Sequence, residues 1–245
     1  MGFTRFRKTF HPQMKHLSLL LTLLSAPLAI TSCLTTKSPK GGGQSEAPTS
    51  WHKLFDGKTL GKWAITDFAG KGEVEIDENG SLVLGMGIEL TGVHWTGKDD
   101  YPSIDYEIAL LAKRAQGGDF FCGLTFPYED SNATLILGGW GGALVGVSSL
   151  DDFDASENDT GDVYEFEENH WYDVRLRVTK AKFEAWLDKK KIVDCDIDGR
   201  KVSMRTGEVE LSAPLGFCTY ATTGVLRDIR IRKLSPKEIS APADQ

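Results

Sequence analysis

The chain has 245 residues, with 28 Lys/Arg against 35 Asp/Glu and a formal net charge of −7. An acidic balance excludes the basic footprint that nucleic-acid binding requires. No Rossmann or P-loop glycine pattern stands between a strand and a helix, which argues against a nucleotide partner.

Residues 1–33 read as an export signal that is separate from the fold. Arg5, Arg7, Lys8 and Lys15 form a basic start, and Leu17 to Ile30 is an apolar run too short to span a membrane comfortably. The run ends in Ile30-Thr31-Ser32-Cys33, which resembles a bacterial lipobox and makes Cys33 the lipidated first residue of the mature chain. An ordinary cleaved signal peptide is the alternative. Leu34 is not Asp, which favours the outer membrane of the cell envelope over inner-membrane retention. Without the signal, 24 basic and 35 acidic side chains remain, a formal charge of −11. Residues 34–50 and 235–245 are small and polar, and read as a flexible linker and a flexible tail. One domain, 51–234, lies between them.

That domain opens with Leu54–Trp63, LFDGKTLGKW, in which Asp56-Gly57 signals a turn flanked by Phe55, Leu60 and Trp63. Beyond it no stretch has helical spacing, and alternation dominates. Tyr172, Val174, Leu176 and Val178 interleave with Asp173, Arg175, Arg177 and Thr179. Val225, Arg227, Ile229 and Ile231 alternate with Leu226, Asp228, Arg230 and Arg232. Further strands are predicted at 73–76, 82–86, 104–112, 120–126, 133–137, 144–148, 182–187, 191–196, 208–211 and 216–221. Asn79-Gly80, Gly117-Gly118, Asp188-Lys189-Lys190 and Asp198-Gly199 separate them as turns. Many short strands with polar turns predict an all-β fold: two antiparallel sheets packed as a jelly-roll sandwich of the concanavalin or laminin-G type. Cys122, Cys195 and Cys218 fall in apolar strand patterns without a CxxC, and read as core.

The opening motif resembles the signature of the 3-keto-disaccharide hydrolase domain family, formerly a domain of unknown function. Ile104–Ile108 is similar to that family's D-F-E-L strand, and His170–Arg175 to its W-N-x-Y-x-I strand. Phe183–Asp188 resembles V-x-V-W-L-N-G, and Leu226–Ile231 resembles the closing F-R-N-I-R-I. The resemblance implies the same sandwich, and an activity on carbohydrate: cleavage of a glycosidic bond in a sugar already oxidised at C3, by elimination and then hydration. Two stretches depart from the pattern. Many relatives carry G-G-N-S-G where this chain has Gly117 to Gly123, GGDFFCG, and a Q-D-H-G-like stretch where it has Cys218-Thr219-Tyr220-Ala221. Tyr220 then stands in place of a His and could hydrogen-bond an enolate, but is a poor base near neutral pH.

The sequence offers several site candidates. Gly138-Gly139-Trp140-Gly141-Gly142 leaves the Trp140 indole uncovered as a sugar-stacking platform, unless it plugs the end of the sandwich. The acidic stretch from Asp151 to Glu165 contains Glu157, the first choice for general acid–base work, with Asn158 as a substrate-binding neighbour. Asp151 and Asp154 in the same stretch could hold Ca²⁺ or another divalent metal, though such a loop is usually only solvated. His94 is a second proton carrier, with Trp95 beside it as a binding ring; a lone His is more often structural. The expectation is a lipid-anchored envelope enzyme, Glu157 or His94 acting with Tyr220. The alternative is a non-catalytic surface carbohydrate-binding lipoprotein with Trp140 as its platform.

Overall fold

The computed structural model describes residues 49–97 and 100–241. The expected signal with Cys33, the linker up to residue 48 and the last four residues lie outside them.

Two antiparallel sheets pack face to face as a jelly-roll sandwich, as the alternation predicts. The first contains β1 (His52–Lys53), β3 (Val74–Ile76), β4 (Leu82–Leu84), β6 (Tyr106–Gly117), β11 (Tyr172–Val178), β12 (Lys182–Leu187), β13 (Lys190–Asp196) and β15 (Thr222–Lys233). Its order is β13-β12-β11-β6-β15-β4-β3, with β1 also paired to β15. The second contains β2 (Trp63–Ile65), β5 (Leu90–Trp95), β7 (Cys122–Tyr128), β8 (Ser131–Gly138), β9 (Leu144–Ser148), β10 (Asp162–Val163) and β14 (Gly216–Tyr220). Its order is β10-β9-β8-β7-β14-β5-β2.

The period of two sorts each strand. Val174, Leu176 and Val178 of β11 join the core while Asp173 and Arg175 do not. Leu124 and Phe126 of β7, Leu135 and Leu137 of β8, and Val145 and Val147 of β9 face them from the second sheet. Phe126 meets Phe183 edge to face at 5.1 Å between ring centroids. Each such side chain contributes about 1.5–3 kcal/mol through removal from water.

The opening motif works as a clasp. The Asp56 carboxylate accepts from the Lys58 and Thr59 amides at 2.8 and 2.9 Å, fixing the turn. The Trp63 indole N–H donates to the Leu54 carbonyl at 2.9 Å, and its ring packs edge-on against Trp95 at 4.9 Å.

Three expectations change. Residues 208–211 belong to a 3₁₀ turn, Glu208–Ser212, rather than a strand; it lies over the second sheet, where the Ser212 hydroxyl meets Thr125 Oγ1 at 2.6 Å. Strand β15 breaks its alternation at a bulge with Asp228 at φ 53°. Arg227 pairs with Leu111 and Arg230 with Ala109, so both arginines face outward while Leu226, Ile229 and Ile231 face the core. Finally, residues 235–240 of the expected flexible tail form a capped helix. Ser235 caps Pro236–Ser240 (α1), and Glu238 reaches Arg232 at 2.6 Å.

Candidate active site

At one end of the sandwich the chain leaves β14 and enters β15 through Ala221, at φ 42°. Tyr220, the last residue of β14, is thereby placed at the rim, and its ring lies 5.9 Å from that of Phe120. Phe120 belongs to the loop between β6 and β7. The Asp119 amide in this loop donates to Thr222 Oγ1 at 3.0 Å, and the Phe120 carbonyl accepts from the Tyr220 amide at 3.0 Å.

The glycine-flanked tryptophan comes to the same place. Gly138, Trp140, Gly141 and Gly142 have φ of 84°, 47°, 90° and 104°, a left-handed run that only glycine adopts without strain. Trp140 is therefore held out from the body of the protein, 46% exposed. The Arg205 guanidinium lies 5.6 Å from its ring centroid and is held by Asp154 at 2.6 Å.

These pieces border a cleft of about 480 Å³ lined by Glu89, Leu90, Asp119, Phe120, Thr134, Ile136, Trp140, Ser148, Arg205, Glu208 and Tyr220, among others. Its floor is the outer face of the second sheet: Thr134 and Ile136 alternate with the core residues Leu135 and Leu137 on β8. Apolar rings beside a few carboxylates and one guanidinium suit a sugar, which offers C–H faces and hydroxyl edges. The half-buried Asp119 is the most constrained of the acids. Its Oδ1 accepts from the Phe120 amide at 2.8 Å and its Oδ2 from the Gly141 amide at 3.1 Å. Glu208 accepts from the Ala69 amide at 2.9 Å, and Glu89 is exposed.

Of the residues expected from sequence, Trp140 and Tyr220 line this cleft. Glu157 does not: it is exposed on the loop after β9, outside the lining. Asn158 is committed to that loop. Its Nδ2 donates to the carbonyls of Val147 and Phe153 at 2.8 and 3.0 Å, and its Oδ1 accepts from the Thr160 amide at 2.9 Å. His94 shares the outer face with Leu90 but lies four residues along β5, about 13 Å away, where Nδ1 meets Thr66 Oγ1 at 3.1 Å. Trp95 points the other way, into the core.

The acidic stretch does not fit a metal either. Asp151 accepts from Arg200 Nε at 2.8 Å and from the Lys201 amide at 2.9 Å; the Lys201 amide and Arg200 hold its carboxyl below the usual range. Asp154 is occupied by Arg205 and by Ser149 Oγ at 3.0 Å. Among the described residues no three His, Cys, Asp or Glu side chains converge on one point. Cys122, Cys195 and Cys218 are buried and free, and burial pushes the Cys218 thiol up to about 12, which suits packing rather than nucleophilic work.

Sequence reasoning missed Asp119, Glu208 and Arg205. A signal for Asp119 existed, because it sits in one of the two stretches that depart from the family pattern. Tyr220 sits in the other, and both stretches border the cleft.

Solved structures resemble the chain. The Crh5 transglycosylase superposes with a TM-score of 0.51 at 10% identity, over 77% of this chain and 85% of that one. The carbohydrate-binding module CBM66 from Bacillus subtilis gives 0.44 at 13% identity, over 70% of this chain and 96% of that one. Domain 4 of AbnA, an extracellular arabinanase from Geobacillus stearothermophilus, gives 0.45 at 14% identity, over 79% and 96%. No curated protein matches the sequence. The pattern of the 3-keto-α-glucoside-1,2-lyase-like domain matches residues 50–232, and the chain belongs to that family.

Proposed function

We propose that the protein cleaves 3-keto-glycosides by elimination in the cleft between Asp119, Trp140 and Tyr220. The observation that carries this reading is that both stretches departing from the family pattern border one cleft together with the glycine-flanked tryptophan.

A ketone at C3 acidifies the C–H at C2. Asp119, oriented by two backbone amides, takes that proton. The electron pair passes into an enolate, then forms the C1–C2 double bond as the C1–O bond to the leaving group breaks. Asp119 gives the proton it has taken to the departing oxygen, and addition of water across the double bond, hydroxyl to C1 and hydrogen to C2, completes hydrolysis. The Tyr220 hydroxyl donates a hydrogen bond to the enolate oxygen, the place where negative charge develops. Trp140 and Phe120 hold the sugar faces. Glu157 and His94 have no part in this reading, and no step runs through a metal.

The test is turnover of a panel of 3-keto-glucosides by the purified protein, with and without EDTA. Aglycone release that is insensitive to EDTA and lost in Asp119→Asn supports the reading. Absence of turnover by folded protein on every member overturns it. A second reading, sugar binding without catalysis, is favoured by one observation: a tyrosine occupies the place of the family's histidine. It predicts glycan retention that Trp140→Ala weakens about tenfold or more, without turnover.

The reading extends to location. The protein acts after export, in the envelope, tethered through a lipid on Cys33. Radiolabelled palmitate incorporated by the wild type and not by Cys33→Ala supports the anchor; labelling of both refutes it.

A further inference from the structure

The outer face of the first sheet, on the opposite side of the sandwich from the cleft floor, carries cations that its own carboxylates do not neutralise. Part of the face is balanced: Glu107 takes Arg177 and Arg232, and Glu184 and Asp194 take Lys191. Arg227 and Arg230 have no ion-pair partner among the described residues, and the Nε of each is buried without a hydrogen-bond acceptor.

These two side chains are presented, not merely present. The bulge in β15 turns both to the same face, opposite Leu111 and Ala109, roughly 7 Å apart along the strand. The Arg227 guanidinium lies 4.0 Å from the centroid of Trp171, which also meets Lys113 Nζ at 5.0 Å. Arg230 lies 5.2 Å from Trp51, itself 38% exposed. Stacking on an indole fixes a guanidinium plane and leaves its N–H edge for a planar oxyanion. The buried Nε atoms are out of a ligand's reach, but both side chains are half-exposed and their Nη groups are not among the buried atoms, so the paired Nη donors are the edge a carboxylate meets. The exposed Asp173 and Asp228 border the strip and penalise anions that approach without engaging this fork.

We propose that this face binds an acidic polysaccharide, a polyuronate, with Arg227 and Arg230 each forking one carboxylate. A repeating chain of carboxylates on pyranose rings matches two forks in line on one strand, with Trp51 as an exposed ring for the sugar that follows beyond Arg230. Charge complementarity is local: the chain as a whole is acidic at −7, so its net charge gives a polyanion no general attraction and the attraction comes from this strip. The proposal does not depend on elimination chemistry in the cleft.

The full-length protein is run by native electrophoresis through gels containing polygalacturonate or neutral dextran. Wild type is expected to be retarded by polygalacturonate and not by dextran, with the retardation falling as salt is raised. Arg227→Gln/Arg230→Gln is expected to bind at least tenfold more weakly with unchanged thermal unfolding, and Trp140→Ala to be retained like wild type. Equal migration of wild type in both gels overturns the proposal, as does full retention of the double variant. Flotation with phosphatidylglycerol vesicles through the same arginines, without retention by polygalacturonate, also overturns it and assigns the face to a membrane.

Discussion

Asp119 and Gly141 are joined by a 3.1 Å hydrogen bond from the glycine amide to the aspartate carboxylate. It ties the loop after β6 to the turn that carries Trp140, so the acid and the aromatic platform are set by one contact between two short segments. Gly141 has φ 90°, and a Cβ there would meet nothing within 4 Å; glycine is required by the backbone and not by crowding.

Replacing Asp119 by Asn keeps its size and one acceptor oxygen while removing the base. Turnover of a 3-keto-glucoside is expected to fall by about 10²-fold or more, with thermal unfolding nearly unchanged. Undiminished turnover would remove Asp119 from the mechanism.

Glu157 and its neighbour Asn158 separate in effect despite adjacency. Glu157→Gln is expected to leave turnover and stability unchanged, since its side chain is exposed outside the cleft. Asn158→Ala strips acceptors and donors from Val147, Phe153 and Thr160 and is expected to destabilise by about 1–3 kcal/mol. Urea denaturation of both variants beside a turnover assay checks the pair.

The difference between those neighbours shows why only part of the site was legible. Strands 144–148 and 182–187 were read from sequence to the residue, and the alternation from Tyr172 to Thr179 overran β11 by one residue. Strand β5 was not read, because Leu90, Gly92 and His94 on one face and Thr91, Val93 and Trp95 on the other mix apolar and polar residues in both rows, so no alternation marks it. The alternating Glu208–Leu211 misled because the segment satisfies its own backbone as a 3₁₀ turn, the Glu210 and Ala213 amides donating to the Gly207 and Glu210 carbonyls at 3.1 Å. Trp140 was legible from its glycines and Tyr220 from its place in the family pattern. Asn158 was not, because composition does not tell an amide aimed at solvent from one spent on its own loop.

Glu107 shows the cost of a buried charge. Its side chain is 1% exposed and accepts from Arg177 Nε at 2.8 Å and from Arg232 Nε and Nη2 at 2.9 and 2.6 Å. Glu107→Ala leaves two guanidiniums facing a void and is expected to cost about 3–5 kcal/mol. A loss under about 1 kcal/mol in denaturant titration would mean that the arginines relax to solvent.

Glu238 links the C-terminal helix α1 to pH. Partial burial raises its carboxyl, but the Ser235 amide and hydroxyl and the Arg232 guanidinium outweigh that and hold it at about 2, below its ordinary 4.5. A depressed folded-state value means the charged form is favoured by folding. The contribution is therefore complete above about pH 4.5 and is lost as pH falls toward 2. The group is near solvent, so its size is that of a surface ion pair, up to about 1 kcal/mol. Wild type is expected to exceed Glu238→Gln in stability at neutral pH, with the gap closing between pH 4.5 and 2. The helix itself should follow: the protection factors (exchange rates relative to the free peptide at the same pH) of the Glu238 and Ile239 amides, which donate to Ser235 Oγ and to the Ser235 carbonyl, should fall over the same interval in wild type. A stability gap that is constant with pH would place the latch in the Ser235 hydrogen bonds alone and not in the charge of Glu238.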